Sequence, residues 1–207
     1  LSGAGKSFCA GGDLNWMRSM KAYSREENIA DSKNLATMYA TLSGFSKPLI
    51  GMVHGKALGG GAGLAAVCDY VLATADAKFG FTETRLGILP AVISPYALEK
   101  IGVSAARAYF TSGMILSADT AQSIGLVHRV VPTELFASAQ NEVINEFLKA
   151  APEASCKAKA LIRTLLATEK SNITDTTIAA IAEARVSNEG QEGMDALLNK
   201  RKPSWVA

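Results

Sequence analysis

The residues of this chain best placed to do chemistry are glycines. The tract Leu49-Ile50-Gly51-Met52-Val53-His54-Gly55-Lys56-Ala57-Leu58 opens as an apolar strand, runs into Gly59-Gly60-Gly61-Ala62-Gly63, and continues as small apolar Leu64-Ala65-Ala66-Val67-Cys68-Asp69. Strand, glycine turn and helix in that order aim backbone N–H groups at one place. Missing side chains let a ligand approach the main chain. The partial positive charge of a helix's first turn suits an anion, or an oxygen on which negative charge develops. A second such place is Phe8-Cys9-Ala10-Gly11-Gly12-Asp13-Leu14. A lone carboxylate, Glu83, lies downstream among Phe79, Phe81, Leu86, Ile88 and Leu89. Apolar surroundings raise a carboxyl pKa toward the range of a general acid–base.

Each feature taken singly has a plainer meaning. A glycine run is a tight turn with close helix packing, and a glutamate near Arg85 is a surface ion pair. Two nucleotide motifs fail on context. Gly3-Ala4-Gly5-Lys6-Ser7 ends like a P-loop, but Phe8-Cys9-Ala10-Gly11-Gly12 follows where a helix must open. Gly61-Ala62-Gly63-Leu64-Ala65-Ala66 fits G-x-G-x-x-A with Asp76 as the acid, yet its helix is too short for a mononucleotide unit.

Local patterning predicts the elements that hold these residues. Ser24-Arg25-Glu26-Glu27 is a capping box, and a helix should run to about residue 43 with Ile29, Leu35, Met38 and Leu42 on one face. Pro48 ends a loop before a strand over 49–54. A further strand is predicted over 70–75, and a short one at Phe79-Gly80-Phe81 delivers Glu83. Ser94-Pro95 reads as an N-cap with proline at the first helical position, Gly102 closes that helix and Ser104 caps the next. A short helix over 117–124 ends at Gly125, and 126–132 is a strand. From Thr133 the pattern is helical only, over 133–150, 152–167, about 175–187 and 189–200. An α/β core over 1–132 followed by a helical region over 133–207 is the expected organisation. There is no internal repeat and no low-complexity linker.

Composition narrows the classes of function. The 207 residues suit one domain with an appended part, and 48% hydrophobic residues supply a core. A net charge of +2 argues against a strongly basic nucleic-acid face or an acidic tail. Cys9, Cys68 and Cys156 are odd in number and lack metal-ligand spacing, so reduced, mostly buried thiols inside a cell are expected. Two histidines with no acid–histidine cluster argue against zinc. No signal peptide or apolar span of membrane length is visible.

Taken together, the motifs resemble those of the crotonase family, the enoyl-CoA hydratases and isomerases. The family pattern F-[SC]-A-G-x-D, H/N-G-x-A-x-G-G-G, C-D and F-x-x-x-E-x-x-x-G-x-x-P is met in order by Phe8 to Asp13, His54 to Gly61, Cys68-Asp69 and Phe79 to Pro90. Four ordered motifs are far more specific than one glycine run. The tracts Gly12-Asp13-Leu14-Asn15-Trp16-Met17 and Pro90-Ala91-Val92-Ile93-Ser94-Pro95-Tyr96 look most like the methylglutaconyl-CoA hydratase branch, which implies branched-chain amino acid catabolism. The family's strand leading into Leu1-Ser2-Gly3 implies that a preceding segment is absent from the sequence.

The resemblance implies a spiral of ββα turns with a helical C-terminal subdomain that assembles as a homotrimer or homohexamer. It implies an acyl-CoA substrate, no other cofactor, no metal, and a cytoplasmic setting or, in a eukaryote, the mitochondrial matrix. Gly12 and Gly60 N–H groups would hold the thioester oxygen, and Glu83 would carry the proton. Ala10, Gly11, Asp13, Leu14, Ala57, Leu58, Gly59 and Pro90 would line the substrate, with Lys6 and Lys56 toward the CoA phosphates. Trp16, Met17, Met20 and Tyr96 would border the acyl pocket, although spacing alone makes them core. Lys200-Arg201-Lys202 would reach CoA from a neighbouring subunit, or else forms a solvated helix end. Asp13 and Asp69 match positions that are usually structural, and His54 reads as a packed histidine.

One position departs from the pattern. The familiar hydratases carry a second glutamate where this chain has Gly63. A single acid suits moving a double bond, and also hydration if Glu83 both orients the water and delivers the proton. Enoyl-CoA hydratase is the expected activity, double-bond isomerase the alternative, and an acyl-CoA- or RNA-binding protein without catalysis the alternative of another class. No basic stripe with interleaved aromatics supports RNA.

Overall fold

The computed structural model describes residues 1–206. It divides into two compact units, Leu1–Phe45 with Leu49–Gln140, and Ser46–Pro48 with the residues from Asn141 onward. The strands of the first unit are β1 (Ile50–Val53), β2 (Lys56–Leu58), β3 (Tyr70–Thr74), β4 (Lys78–Gly80), β5 (Leu116–Ser117) and β6 (Arg129–Val131). Its helices are α1 (Leu14–Met20), α2 (Arg25–Ser43), α3 (Gly60–Ala66), α4 (Ser94–Ser112) and α5 (Ala118–Ser123). A helix α6 (Phe136–Leu148) begins in this unit, with the Phe136 ring 6.3 Å from that of His54, so the unit runs past Pro132.

Strands β1 to β4 feed two sheets alternately. One sheet has the order β1-β3-β6 and is parallel throughout. The other has the order β2-β4-β5, with β2 and β4 parallel and β5 antiparallel. Ser2 and Cys9 add one bridge to each, opposite Met52 and Ala57. The chain changes sheet at Gly55, whose φ of 62° favours glycine, and where a β-carbon would stand 2.2 Å from the Lys6 carbonyl oxygen. The repeat β1-β2-α3 followed by β3-β4-α4 is the ββα spiral of an α/β fold.

Side-chain size follows the packing. Helix α3 is buried along Gly61, Ala62, Gly63, Ala65 and Ala66. A β-carbon at Gly61 would meet the Cys9 carbonyl oxygen at 2.4 Å, so the small tract is what lets the helix sit against residue 9. Val53, Val71, Phe79, Phe81 and Leu126 fill the interior around it.

Several expectations are corrected. The capping box of α2 forms, with the Glu27 N–H donating to Ser24 Oγ and the Ser24 N–H donating to Glu27 Oε2 at 2.7 Å. The buried face, however, is Tyr39 flanked by Leu35 and Leu42, at helical spacing, while Ile29 and Met38 are exposed. Ser94 does not cap α4: its hydroxyl donates to the Ala91 carbonyl, and Ile93 stands at the cap. The expected helix end at Gly102 is met: φ is 71° and ψ is 169° there, and α4 is two helical stretches joined across that kink. A helix α1 forms where patterning gave none, because the Asp13 carboxylate accepts the N–H groups of Asn15 and Trp16.

The second unit holds α7 (Pro152–Ala167), α8 (Ile173–Val186) and α9 (Asn188–Leu198). Pro152 opens α7, and the Glu189 carboxylate accepts the N–H groups of Glu153 and Ala154, two first-turn donors that no proline or helix bond would satisfy. Beyond α9, Arg201 makes two 2.7 Å bonds to Glu192 and a third to Asp195. That contact ties the basic C-terminal run back to its own helix. Among the described residues, no helix is long and apolar enough to cross a membrane, and no group of three or more His, Cys, Asp or Glu side chains could share a metal ion.

Candidate active site

Two parallel ladder bonds bring the first glycine stretch beside the second. The Cys9 N–H donates to Lys56 O at 2.9 Å, and the Leu58 N–H donates to Cys9 O at 3.0 Å. Both segments then leave their strand positions together, as Ala10-Gly11-Gly12 and Gly59-Gly60-Gly61. Gly11, at φ 118°, lies with its would-be β-carbon 3.8 Å from Leu58 O. On the other side β4 pairs with β2 in the register Leu58 to Gly80, and the Gly59 N–H donates to Gly80 O at 2.8 Å. Three chain segments thus end at one place, outside the carboxyl ends of parallel strands, where α/β sheets collect ligands.

Glu83 closes this place. From Gly80 the chain passes Phe81 into a 3-10 turn over Thr82–Leu86, ended by left-handed Gly87 at φ 75°. The turn carries the Glu83 side chain back across the strand ends. The backbone of Gly59, at φ 52°, favours glycine, and a β-carbon there would be 3.3 Å from Glu83 Oε1, which places that carboxylate against the turn. Burial raises the Glu83 carboxyl pKa above its ordinary value of 4.5. Its Oε2 is buried and has no hydrogen-bond partner in the protein. The apolar shield is not the expected one: Phe79 and Phe81 are buried, but Leu86, Ile88 and Leu89 are exposed.

Gly60 is the first residue of α3, so its N–H has no acceptor within the helix. Its carbonyl takes a 2.7 Å hydrogen bond from the hydroxyl of Tyr39. Gly12 lies under Trp16 and Met17, with a would-be β-carbon 3.1 Å from the Trp16 ring and 3.6 Å from Met17. Trp16 is itself held by a 3.1 Å bond from its Nε1 to Asp31.

The remaining candidates fall into groups. Lys6, Ala10, Leu14 and Lys56 are exposed, Gly11 and Leu58 are half-buried, and Ala57, Gly59 and Pro90 are buried. Asp13 spends its carboxylate on α1, and Asp69 accepts the Leu49 N–H at 2.6 Å. His54 pairs with Gly5 O at 3.0 Å.

Position 63 is sealed. A β-carbon there would stand 2.4 Å from Ile93 Cγ2 and 2.8 Å from Ile93 Cβ, with the Tyr39 ring at 3.2 Å. No second acid fits beside Glu83 without moving α4. Motif reading marks the missing acid but not the residues that occupy its space. Tyr39 was within reach of a helical-spacing argument from Leu35 and Leu42, whereas Ile93 carries no local signal.

The arrangement therefore offers a half-buried carboxyl with one unpartnered oxygen, beside a helix start with free N–H groups. The family model described as enoyl-CoA hydratase/isomerase matches residues 1–207. A short-chain-enoyl-CoA hydratase of Clostridium acetobutylicum is 34% identical, over 98% of this chain and 77% of that protein. A 2,3-dehydroadipyl-CoA hydratase of Escherichia coli is 33% identical, over 99% and 79%. The crystal structure of an enoyl-CoA hydratase from Shewanella pealeana superposes with a TM-score of 0.90 at 39% identity, over 97% of this chain and 76% of that one.

Proposed function

The chain belongs to the enoyl-CoA hydratase/isomerase family, and from that premise we propose that it hydrates a 2-enoyl-CoA with Glu83 as its single acid–base. The observation that carries this reading is the Glu83 carboxyl against Gly59, with Oε2 unpartnered and its pKa raised by burial. The ionised carboxylate takes a proton from water as the water oxygen bonds C3. The C2=C3 electron pair moves toward the thioester, and the Gly12 and Gly60 N–H groups hold the oxygen that gains charge. Glu83 then returns its proton to C2, so the net change is addition of water. Positioned acid–base catalysis of this kind is worth ~10²–10⁴-fold.

The sealed position at Gly63 favours a second reading. With 3-enoyl-CoA the same carboxylate would take a proton from C2 and return it at C4, moving the double bond without water. Neither reaction needs a redox cofactor or a metal. The likeness of the tracts from Gly12 and Pro90 to one branch of the family supports a branched acyl chain, and the family premise supports CoA phosphates near Lys6 and Lys56 and a homotrimer or homohexamer.

The test gives the protein crotonyl-CoA, 3-methylcrotonyl-CoA and a 3-enoyl-CoA, with Glu83→Gln alongside. Hydration predicts loss of the conjugated thioester absorbance from a 2-enoyl-CoA, reduced about a thousandfold by the substitution. Gain of that absorbance from the 3-enoyl-CoA alone makes the protein an isomerase. Binding of thioester with neither conversion overturns the catalytic reading and leaves a binding protein.

A further inference from the structure

The hydroxyl of Tyr39 is an unusual feature of the interior. Tyr39 is 1% exposed and is the only residue of α2 that is buried outright. Its Oη does not end in solvent or on another side chain but on the carbonyl of Gly60, at 2.7 Å. A β-carbon on Gly60 would be 3.0 Å from that oxygen. Burial, then Cys9 and Glu83, push the phenol pKa up, so the hydroxyl remains a donor.

Consecutive glycines have wide backbone freedom, so something must fix the direction of an N–H placed among them. The peptide before Gly60 is held through its carbonyl, because Gly59 O accepts the N–H groups of Ala62 and Gly63, and the peptide before that is held by the Gly59 N–H bond to Gly80 O. The peptide after Gly60 is held by the first turn of α3 and, from outside the helix, by the Tyr39 hydroxyl. With both flanking peptides fixed, neither backbone torsion of Gly60 is free, and its N–H keeps one direction. We propose that Tyr39 is a positioning residue for the reaction, locking the Gly60 peptide so that its N–H meets the thioester oxygen. This rests on the reading of Gly60 as a donor to that oxygen. Tyr39 touches no substrate itself; it acts through the main chain.

A loosened donor costs turnover more than binding, because charge on the oxygen is greatest in the transition state. Tyr39→Phe keeps the ring and removes only the hydroxyl. It is expected to lower kcat about ten- to a hundredfold, the scale of a misdirected catalytic group, with KM changed less than about twofold. The direct readout is the carbonyl stretch of crotonyl-CoA bound to Glu83→Gln, recorded before the slowed variant converts it. Tyr39→Phe on that background should lose much of the downshift in frequency. Leu42→Ala loosens the same face of α2 without touching the donor; it should lower Tm and leave the downshift in place. A full downshift in Tyr39→Phe, or an equal loss in Leu42→Ala, overturns the proposal and makes Tyr39 a packing residue. If Glu83→Gln with Tyr39 intact shows no downshift at all, the assignment of the Gly60 donor falls, and the role of Tyr39 falls with it.

Discussion

At the scale of single residues, Glu83 and Gly63 carry the clearest expectations. The Glu83 carboxyl is held above 4.5 by burial. A raised acid pKa means the folded protein binds the proton more tightly, and the base form appears only as pH rises through the shifted value. The acid limb of kcat/KM, which reports the free enzyme, should therefore centre above 4.5 and vanish in Glu83→Gln. A limb at or below the ordinary glutamate value would remove Glu83 as the base. Gly63→Ala adds one methyl group against Ile93 and the Tyr39 ring. Overpacking of this kind costs about 1–3 kcal/mol, to be read as a lower midpoint in chemical denaturation. An unchanged midpoint would mean that Ile93 yields freely, and that position 63 is not sealed.

At the scale of elements, what could be read from the sequence tracks how local the cause is. The capping box at Ser24 and Glu27 is written within four adjacent residues, and α2 begins there. Pro152 and the helical pattern after it place α7 over Pro152–Ala167. The motifs around Gly12, Gly60 and Glu83 are likewise local, and the fold brings all three to one set of strand ends. Strand β2 escapes patterning because three residues cannot show alternation, and its partners are Cys9 and β4. The shield of Glu83 is not legible locally, because neighbours in sequence are not its neighbours in space; Ile88 and Leu89, after the left-handed turn at Gly87, are exposed. The end of α9 carries a further expectation. Hydrogen bonds from Arg201, then from the Ser204 N–H, lower the Glu192 pKa to about 2. A depressed carboxylate stabilises above its ordinary pKa of 4.5, and that contribution is lost as pH falls toward about 2. Glu192→Gln should be less stable than the parent protein at neutral pH, with the gap closing across that window. A gap that is the same at both ends would make the contact irrelevant to folding.

At the scale of the whole molecule, one copy of the chain leaves much apolar surface on its later helices. Leu166 on α7 is 68% exposed and Val186 on α8 is 76% exposed, with Ile162, Ile178 and Ile181 also open to solvent. Exposed apolar patches of this sort mark contact surfaces. Light scattering should give the mass of a trimer or a hexamer of 21.7 kDa chains. A mass of one chain would withdraw the assembly proposal and leave that surface to another partner.

The contact between Gly63 and Ile93 also limits where descendants of this sequence can go. A glutamate arriving first at position 63 would meet Ile93 Cβ and Cγ2 before it could reach the site. A smaller residue at position 93 would have to come earlier, and until the acid followed it would leave an empty space beside Gly63 that costs stability. An acid fits at position 63 only once position 93 has changed, so the order in which mutations occur decides whether a lineage with this pair can gain one.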